Sequence, residues 1–330
     1  MSQLLYAGID VAAAELVLAV CDADEAFSAE LRFPNTTAGI ARLKRCLLKL
    51  GELKLCLEPT SRYHLAVLQA LCAVPQLYVG VANPYAARQF AKASGQRGKT
   101  DRTDARVLAR FALHCAPARY LPPRPVAVEL RAITRRQGAL IAARSAEKNR
   151  LHAAVRGGDP RCVRRSIERQ IAQLGREIAV LEQTALAVAR GDAQLAECFT
   201  ELVSAKGIGQ RSALALLGEL SVLPAGLGKR QWVAQAGLDP QPQESGSSLH
   251  APRHISRRGS RTLRRALYMP ALTMSQRSGP GRAYYLDLLA RGKRPLQAIV
   301  ALMRKLLLAI WGMFESHTTF DPARFYHCSA

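Results

Sequence analysis

The sequence is poor in aromatic residues and in acidic residues. Aromatic side chains make up 6% of the 330 residues, which argues against a base-stacking platform of the kind used by RNA-recognition domains. The 25 Asp and Glu are outnumbered by 47 Lys and Arg, which gives a formal net charge of +22. A chain this basic is expected to bind a polyanion through phosphate contacts, and nucleic acid ranks ahead of an anionic membrane.

Clustered cysteines, secretion signals and long apolar runs are also missing. The eight cysteines are scattered, with no Cys-x-x-Cys pair and no Cys/His cluster, which excludes a zinc finger and a disulfide framework and fits free thiols in the cytoplasm. The opening MSQLLYAGID has no basic leader, and we find no unbroken apolar run of about 18 residues. Neither secretion nor a membrane partner is therefore expected.

The first third of the chain has the pattern of an α/β domain. Three apolar strand patterns precede Pro34, and helix, strand, helix, strand and helix patterns follow in turn. A last helix, TDARVLARFALHCA, follows the loop ASGQRGK. This order predicts a mixed α/β layer fold for residues 1–122. The breaker PPRP at 122–125 marks a boundary.

The remainder of the chain reads as helical. Residues 126–190 are rich in Ala, Leu, Arg and Glu at helical spacing and are interrupted near RGGDP, which predicts two antiparallel helices or a coiled-coil arm. The first part of this region is basic (Arg131, Arg135, Arg136, Arg144, Lys148 and Arg150 against Glu129 and Glu147). A solvated helix face and an arm for nucleic-acid binding or dimerisation fit equally well. Residues 195–330 form the third region, a mainly α-helical C-terminal domain.

Four acids stand out within the basic chain. Asp10 lies inside the apolar strand YAGIDVA, and a lone buried carboxylate is costly unless it is paired or bound to a metal. Glu58 ends the strand KLCLE, at the kind of position where α/β sites collect. If Thr100 caps a helix, Asp101 and Asp104 stand one turn apart on one face of it. Taken singly, the helix acids complement the helix dipole and Glu58 is a helix-entry acid. Together the four predict a metal site, because hard divalent cations take oxygen ligands.

The stretch SAKGIG at 204–209 is similar to a helix-hairpin-helix. Gly207 and Gly209 would allow a tight turn that presents backbone N–H groups to a phosphate, and Lys206 and Arg211 would add positive charge. An ordinary Gly-bounded helix turn has the same pattern. In this basic chain we favour contact with a DNA or RNA backbone.

Three segments, YAGIDVA, LCLEPT and GKTDRTDARVLA, resemble the D-E-D-D pattern of the RuvC-like transposases of insertion-sequence family one hundred and ten. The resemblance continues into the C-terminal half. It implies an RNase H/RuvC-like N-terminal domain whose Asp10, Glu58, Asp101 and Asp104 hold one or two Mg²⁺ ions. It also implies a bacterial, cytoplasmic and nucleoid-associated protein that moves an insertion sequence between specific sites.

The stretch PQPQESGSSLH contains the serine that the resemblance implies as a nucleophile. By motif position we assign Ser245, with Ser247 as the fallback. A flexible Ser/Gly connector is the alternative, but a serine that attacks DNA needs nearby cations to neutralise the phosphate. An acid-free run of arginines follows it in sequence (Arg253, Arg257, Arg258, Arg261, Arg264 and Arg265).

The resemblance further implies partners and a reaction. The partners are donor DNA, target DNA and a structured non-coding bridge RNA, bound by a homo-oligomer, either a dimer or a tetramer. A composite site formed by two protomers is an expected arrangement. Two alternatives stay open: a metal-dependent nuclease of the Holliday-junction resolvase type that uses water, and a non-catalytic nucleic-acid-binding protein whose acids are structural.

Overall fold

Five strands form one mixed sheet in the first third of the chain. The computed structural model describes residues 4–59, 62–95, 100–241, 244–245, 249–250 and 254–326. Its first strands are β1 (Leu5–Val11), β2 (Glu15–Cys21), β3 (Phe27–Pro34), β4 (Leu53–Leu57) and β5 (Tyr78–Val81), in the spatial order β3-β2-β1-β4-β5. The strands β1, β2 and β3 form an antiparallel meander, whereas β4 and β5 run parallel to β1. This confirms the predicted mixed α/β character of the region.

Helices cover both faces of the sheet. On one face lie α1 (Thr37–Lys49) and α2 (His64–Cys72), and on the other lie α3 (Pro84–Ala93) and α4 (Asp101–Cys115). The first turn of α1 is capped, because the Thr36 hydroxyl accepts a hydrogen bond from the Gly39 N–H at 3.2 Å. The first face carries the large apolar core, in which Ile9, Leu43 and Leu55 are at most 1% exposed.

Strand alternation assigns the residues of β1 to opposite faces. Ile9 packs in the core beneath α1 and α2, so its neighbours Gly8 and Asp10 point to the α3/α4 face. On β4, Leu57 belongs to the first core and Cys56 to the cluster under α3 and α4. The next residue, Glu58, therefore returns to the α4 side of the sheet.

The helix α4 lies in backbone contact with β1 at Gly8. A Cβ atom built on Gly8 would stand 2.1 Å from the Ala105 carbonyl oxygen and 2.3 Å from the Ala109 nitrogen. The residues beside Gly8 on the two neighbouring strands are also small: Gly8 pairs in register with Ala19 on β2 and with Cys56 on β4. The absence of a side chain at Gly8 thus sets the distance between the helix and the sheet.

The chain divides into two units, Met1–Pro122 and Pro123–Ala330, and the second is mostly helical. Its helices are α5 (Pro125–Arg156), α6 (Arg161–Gly191), α7 (Ala193–Ser204), α8 (Gln210–Leu220), α9 (Lys229–Ala236), α10 (Arg261–Gln276), α11 (Pro280–Ala290), α12 (Pro295–Ser316) and α13 (Pro322–Phe325). Leu140, Leu174 and Ile178 are buried between the two long helices α5 and α6. That these helices act as a separate coiled-coil arm stays a prediction.

Two pairs of very short strands interrupt the helices between α9 and α10. The strand β6 (Pro240–Gln241) pairs antiparallel with β9 (His254–Ile255), and between them β7 (Glu244–Ser245) pairs antiparallel with β8 (Leu249–His250). We call these two pairs the ribbon, with β6 and β9 as its base. Sequence patterns predicted no strand here, because two-residue strands leave no periodic signal.

The helix α12 is long and mostly apolar, although its apolar run is not unbroken. Within the described part of the chain, it is the one helix whose length and composition would allow it to cross a membrane. Arg304 and Lys305 interrupt its apolar run, so the helix does not contain an unbroken apolar run of about 18 residues. Leu302, Leu306 and Ile310 on this helix are fully buried in the core of the second unit, as expected for a packed core helix.

Candidate catalytic acids and nucleic-acid contacts

The helix that carries two of the predicted acids begins where the sequence predicts. The Thr100 hydroxyl accepts a hydrogen bond from the Thr103 N–H at 3.2 Å, and the Thr103 hydroxyl accepts one from the Thr100 N–H at 2.9 Å. This reciprocal capping box fixes the first turn of α4. Asp101 and Asp104 both lie in that turn, where they also complement the helix dipole.

The Gly8 contact brings these acids to Asp10. Gly8 lies against residues 105–109 of α4, and Asp10 stands two residues further along β1, about 6.6 Å away at the rise of a strand. The same distance spans between four and five residues of a helix at about 1.5 Å each. Four to five residues before the middle of the range 105–109 lies the first turn of α4. The Asp10 carboxylate is therefore near the turn that holds Asp101 and Asp104.

Glu58 reaches the same place through the parallel pairing of β1 and β4. Ile9 pairs in register with Leu57, so the residues that follow them, Asp10 and Glu58, are neighbours at the ends of two adjacent strands. Both point to the α4 face, for the reason of alternation given above. We call Asp10, Glu58, Asp101 and Asp104 the acidic tetrad.

The electrostatics of Asp10 reflect this crowding. Its pKa rises from 3.8 to about 6, first because the carboxyl is buried and then because Asp104 and Asp101 repel its negative charge. Glu58 adds a smaller rise, and a hydrogen bond with the Val11 backbone opposes these effects. A carboxyl group whose pKa is raised by burial and by like charges is typical of a site suited to a cation.

The tetrad offers oxygen ligands alone, the donor set that hard divalent cations take. Nearby basic residues of α4 are committed to other acids: Arg110 lies 2.7 Å from Glu25, and Arg106 pairs with Glu30. In the part of the chain that the structure describes, no three tetrad residues bring carboxylate oxygens within 4.8 Å of one another. The structure therefore shows a cluster of carboxylates rather than a closed coordination shell.

The predicted nucleophile, Ser245, lies in β7 at the inner pair of the ribbon, opposite Leu249. At the base of the ribbon, Gln241 pairs with His254. The fallback Ser247 and the first arginine of the run, Arg253, lie outside the described residues. The backbone thus places Ser245 on the inner pair of strands, one step away from the base.

A basic groove lies at the base of this ribbon. It has a volume of about 590 Å³, and Pro240 and His254 of the ribbon are among the residues that line it. Four cationic side chains also line it: Arg257, Lys293, Arg294 and Arg304. Such a groove can follow a phosphate backbone, with its apolar residues facing sugars or bases.

The glycine turn lies between α7 and α8 as the sequence predicts. Gly207 has φ +117°, a conformation that L side chains avoid, and a Cβ there would also meet the Met274 side chain at 2.5 Å. Lys206 and the N-cap residue Gly209 are exposed. Arg211 is partly committed elsewhere, because its Nε donates to Glu182 at 3.0 Å. Phosphate binding at this turn stays a prediction.

The arginines after the serine divide into two kinds. Arg257, Arg258, Arg261 and Arg265 are exposed. Arg264 is partly buried and donates to the carbonyl oxygens of Ala236 at 2.9 Å and Gly259 at 3.0 Å. Desolvation lowers the pKa of Arg264, and Arg257 and Arg261 add to the effect. These contacts hold the turn before α10 together and leave Arg264 poorly placed to bind DNA.

The structure also gives a role to Gly8, a residue to which the sequence alone assigned none. Gly8 has no side chain that could bind a ligand, yet it sets where α4 stands relative to Asp10. A glycine inside an apolar strand was the available signal, because such a residue often marks a close approach of another backbone.

Two family models match this chain. A model of the DEDD domain of IS110 transposases, described as "Transposase", matches residues 7–160, and "Transposase IS116/IS110/IS902 family" matches residues 200–286. The first range contains the whole acidic tetrad. The second contains Ser245, the glycine turn and the arginine run.

The chain is also similar to several named proteins. It is 26% identical to the "Pilin gene-inverting protein" of Moraxella bovis over 74% of each chain. It is 31% identical to the candidate transposase y4rJ of Sinorhizobium fredii over 69% of each chain. The protein of insertion element IS110 from Streptomyces coelicolor is 32% identical over 36% of this chain and 29% of its own length.

Proposed function

Because this chain belongs to the IS110 family of transposases and is therefore a DNA transposase or recombinase, we propose that its acidic tetrad and Ser245 act together on one scissile phosphate. The observation that carries the proposal is the cluster of four carboxylates on the α4 face, where burial first, and then repulsion by Asp104 and Asp101, raises the pKa of Asp10 to about 6. The DEDD domain implies a divalent metal. In our proposal that metal is Mg²⁺, one or two ions.

Each part of the chain has its own task. Asp10, Glu58, Asp101 and Asp104 hold the cations, which stabilise charge on the phosphate when they are bound. The Ser245 oxygen forms a bond to phosphorus as its proton passes to a base, and the bond from phosphorus to a deoxyribose oxygen breaks. That oxygen takes up a proton and stays on the cut strand as a free hydroxyl. The phosphodiester is kept as a serine ester, so a second DNA hydroxyl can reverse the step and rejoin strands.

Two features favour strand exchange over hydrolysis. A relative that the chain matches over 74% of its length is named for inverting a gene, and inversion requires that each cut end be rejoined. The groove of about 590 Å³ at the base of the serine ribbon is lined by four cationic side chains, so it can hold a DNA strand while the ester persists. The rival hydrolase needs no such ribbon.

The RNA partner and the assembly are part of the same proposal. The chain carries a net charge of +22, which is ample for binding DNA and RNA together. A structured bridge RNA that pairs with donor and target DNA would supply sequence choice, and a homo-oligomer would bring two sites to two DNA partners. Lys206, Gly207 and Gly209 at the glycine turn would contact a phosphate backbone.

The covalent bond gives the first prediction. When purified protein and its co-purified RNA are incubated with labelled site DNA and Mg²⁺, we expect a protein–DNA band on a denaturing gel. Ser245→Ala abolishes the band because the nucleophilic oxygen is gone. Asp104→Ala also abolishes it, because the tetrad loses a cation ligand.

Matched serine variants make this experiment specific. Ser247→Ala and Ser248→Ala change the same stretch of sequence and should keep the band if Ser245 is the nucleophile. A band lost only in Ser247→Ala would move the nucleophile to the fallback residue. DNA cleavage without any band, unchanged in Ser245→Ala, would identify a nuclease that uses water.

The two kinds of arginine after the ribbon give a second prediction. Arg261→Ala and Arg265→Ala should weaken binding to DNA of any sequence, and each phosphate that is no longer neutralised should reduce the slope of log K against log salt by about one. Arg264→Ala should instead lower the free energy of unfolding, because two backbone carbonyls lose their donor. Fluorescence anisotropy at several salt concentrations and urea unfolding would distinguish the two effects. Equal salt slopes in all three variants and the wild type would contradict the assignment.

A further inference from the structure

A group of metal-ligand side chains lies in the second unit, separate in sequence from the acidic tetrad. Glu197 and Glu201 stand four residues apart on α7, and His317 follows the last residue of α12. One ligand atom from each of the three lies within 4.8 Å of the other two, and this is the one such group among the described residues. The His317 Nδ1 atom is 3.2 Å from a carboxylate oxygen of Glu197.

Glu201 is the member that needs an explanation. It is 4% exposed, and within the part of the chain that the structure describes neither of its carboxylate oxygens has a hydrogen-bond partner. Burial raises the pKa of Glu201, Glu197 adds to the rise and His317 opposes it. A buried carboxylate without a partner is strongly destabilising unless it is neutralised or bound to a cation.

The same chain contains a comparison for Glu201. Glu219 is also 4% exposed, but Arg135 donates to its two oxygens at 2.6 and 3.0 Å, and the Ser260 hydroxyl donates at 3.1 Å. In this chain, which contains 47 Lys and Arg, the buried Glu219 is therefore paired with a guanidinium. The buried Glu201 instead has a second carboxylate and an imidazole beside it, and this combination of side chains is that of a metal site.

We propose that Glu197, Glu201 and His317 bind one divalent transition-metal ion of the zinc class. Two carboxylates and one imidazole mix hard oxygen with borderline nitrogen donors, which suits Zn²⁺ better than Mg²⁺ or Ca²⁺. Three protein ligands leave one position for water or a further ligand. The spacing of four residues on α7 puts both carboxylates on one helix face, as a shared ion requires.

The position of the site indicates a structural task. His317 ends α12 in a left-handed conformation, with φ +50°, and the chain then continues along α7, where the Phe320 N–H donates to the Ser204 hydroxyl at 2.8 Å. An ion at this site ties the end of α12 to α7. The helix α7 leads directly into the turn that contains Lys206, so the ion holds one side of that turn in place.

Metal binding by the whole 330-residue chain tests this assignment. The protein is stripped with EDTA and titrated with Zn²⁺ alone by calorimetry, in an Asp10→Asn/Asp104→Asn background that removes the other acidic cluster. We expect one Zn²⁺ per chain. We also expect a rise in Tm of about 5 °C or more when free Zn²⁺ exceeds its Kd about 100-fold. Millimolar Mg²⁺ should produce neither effect.

Variants at the site separate a bound ion from a neutral buried acid. Glu201→Gln and His317→Asn should each weaken Zn²⁺ binding by about 100-fold or more, because loss of a group that merely orients a ligand already costs 10- to 100-fold. Asn is chosen at position 317 because it tolerates the left-handed conformation. In EDTA, Glu201→Gln should be as stable as the wild type or more so, because it removes the buried charge.

Two matched controls complete the design. Glu315→Gln changes an exposed glutamate at the same end of α12, and Cys198→Ala removes the thiol on α7 between the two glutamates; both should retain the Zn²⁺ site. Zn²⁺ binding that is absent, or that survives in Glu201→Gln and His317→Asn, would overturn the proposal and assign Glu201 as a protonated buried acid.

Discussion

Asp10→Asn is expected to abolish the covalent protein–DNA product while making the metal-free protein more stable. The activity should fall by about 10³-fold or more, because loss of a cation ligand removes several kcal/mol of transition-state stabilisation. The gain in stability follows from the raised pKa of Asp10, which is about 6 in the folded protein against 3.8 ordinarily. A substitution that stabilises the fold but abolishes activity is typical of functional sites in which groups of like charge lie close together.

The pH dependence of this effect has a definite sign. Because folding raises the pKa of Asp10, the protonated group favours the folded state, and this stabilisation is complete below about pH 3.8 and is lost as the pH rises through about 6. In EDTA, Asp10→Asn should therefore match the wild type near pH 4. At pH 7.5 its free energy of unfolding should exceed that of the wild type by about 1–3 kcal/mol.

Urea unfolding in EDTA at the two pH values, with the gel assay run in parallel, would measure both effects. Asp24→Asn is a suitable control because it makes the same chemical change at an exposed turn, and it should alter neither stability nor product. In the wild type, added Mg²⁺ should raise the Tm, and in Asp10→Asn it should do so much less. An Asp10→Asn protein that is less stable at pH 7.5, or that still forms the covalent product, would refute the role of the tetrad.

Gly8→Ala has the largest expected effect on the fold. The added Cβ would stand 2.1 Å from the Ala105 oxygen, 2.3 Å from the Ala109 nitrogen and 2.8 Å from the Leu108 carbonyl carbon. All three are backbone atoms of α4, so no rotamer change can relieve the clash and the helix must move away. We expect a loss of about 2–4 kcal/mol in the free energy of unfolding, at the upper end of overpacking costs.

The movement of α4 should also disturb the acids. Asp101 and Asp104 would move away from Asp10, so the pKa of Asp10 should fall from about 6 toward its ordinary value. The rate of covalent product formation should fall by about 10²-fold even where the variant is fully folded, because small displacements of catalytic groups are that costly.

A glycine in open space provides the control. A Cβ on Gly138, inside α5, would meet no atom within 4 Å, so Gly138→Ala should raise stability by up to about 1 kcal/mol through helix propensity. Urea unfolding, NMR titration of the Asp10 carboxyl and the gel assay would cover all three readouts. A Gly8→Ala protein with wild-type stability and an unchanged Asp10 pKa would contradict the claim that Gly8 sets the helix position.

The sequence by itself determined the order of the elements in the first unit and indicated the chemistry of the acidic tetrad. Apolar alternation predicted the strands around Asp10 and Glu58, and Thr100 predicted the start of α4, because alternation and capping act between residues close in the chain. Composition predicted a polyanionic partner, and the D-E-D-D segments pointed to the family that the comparisons show. Alternation and capping depend on residues close in the chain, and composition is a sum over the chain, so all three can be read without knowledge of the fold.

The tertiary structure decided which of these residues meet. The pairing of Ile9 with Leu57 aligns Asp10 with Glu58, and Gly8 lets α4 approach. Long-range contacts also give other partners to charged residues that the sequence pattern assigned to nucleic-acid binding. Arg264 donates to two backbone carbonyls of the turn before α10, and Arg211 pairs with Glu182. Glu201 and His317 have no shared sequence pattern at all. Their meeting depends on the packing of α7 against the end of α12, and packing distances are set by residues far apart in the chain, which periodicity cannot report.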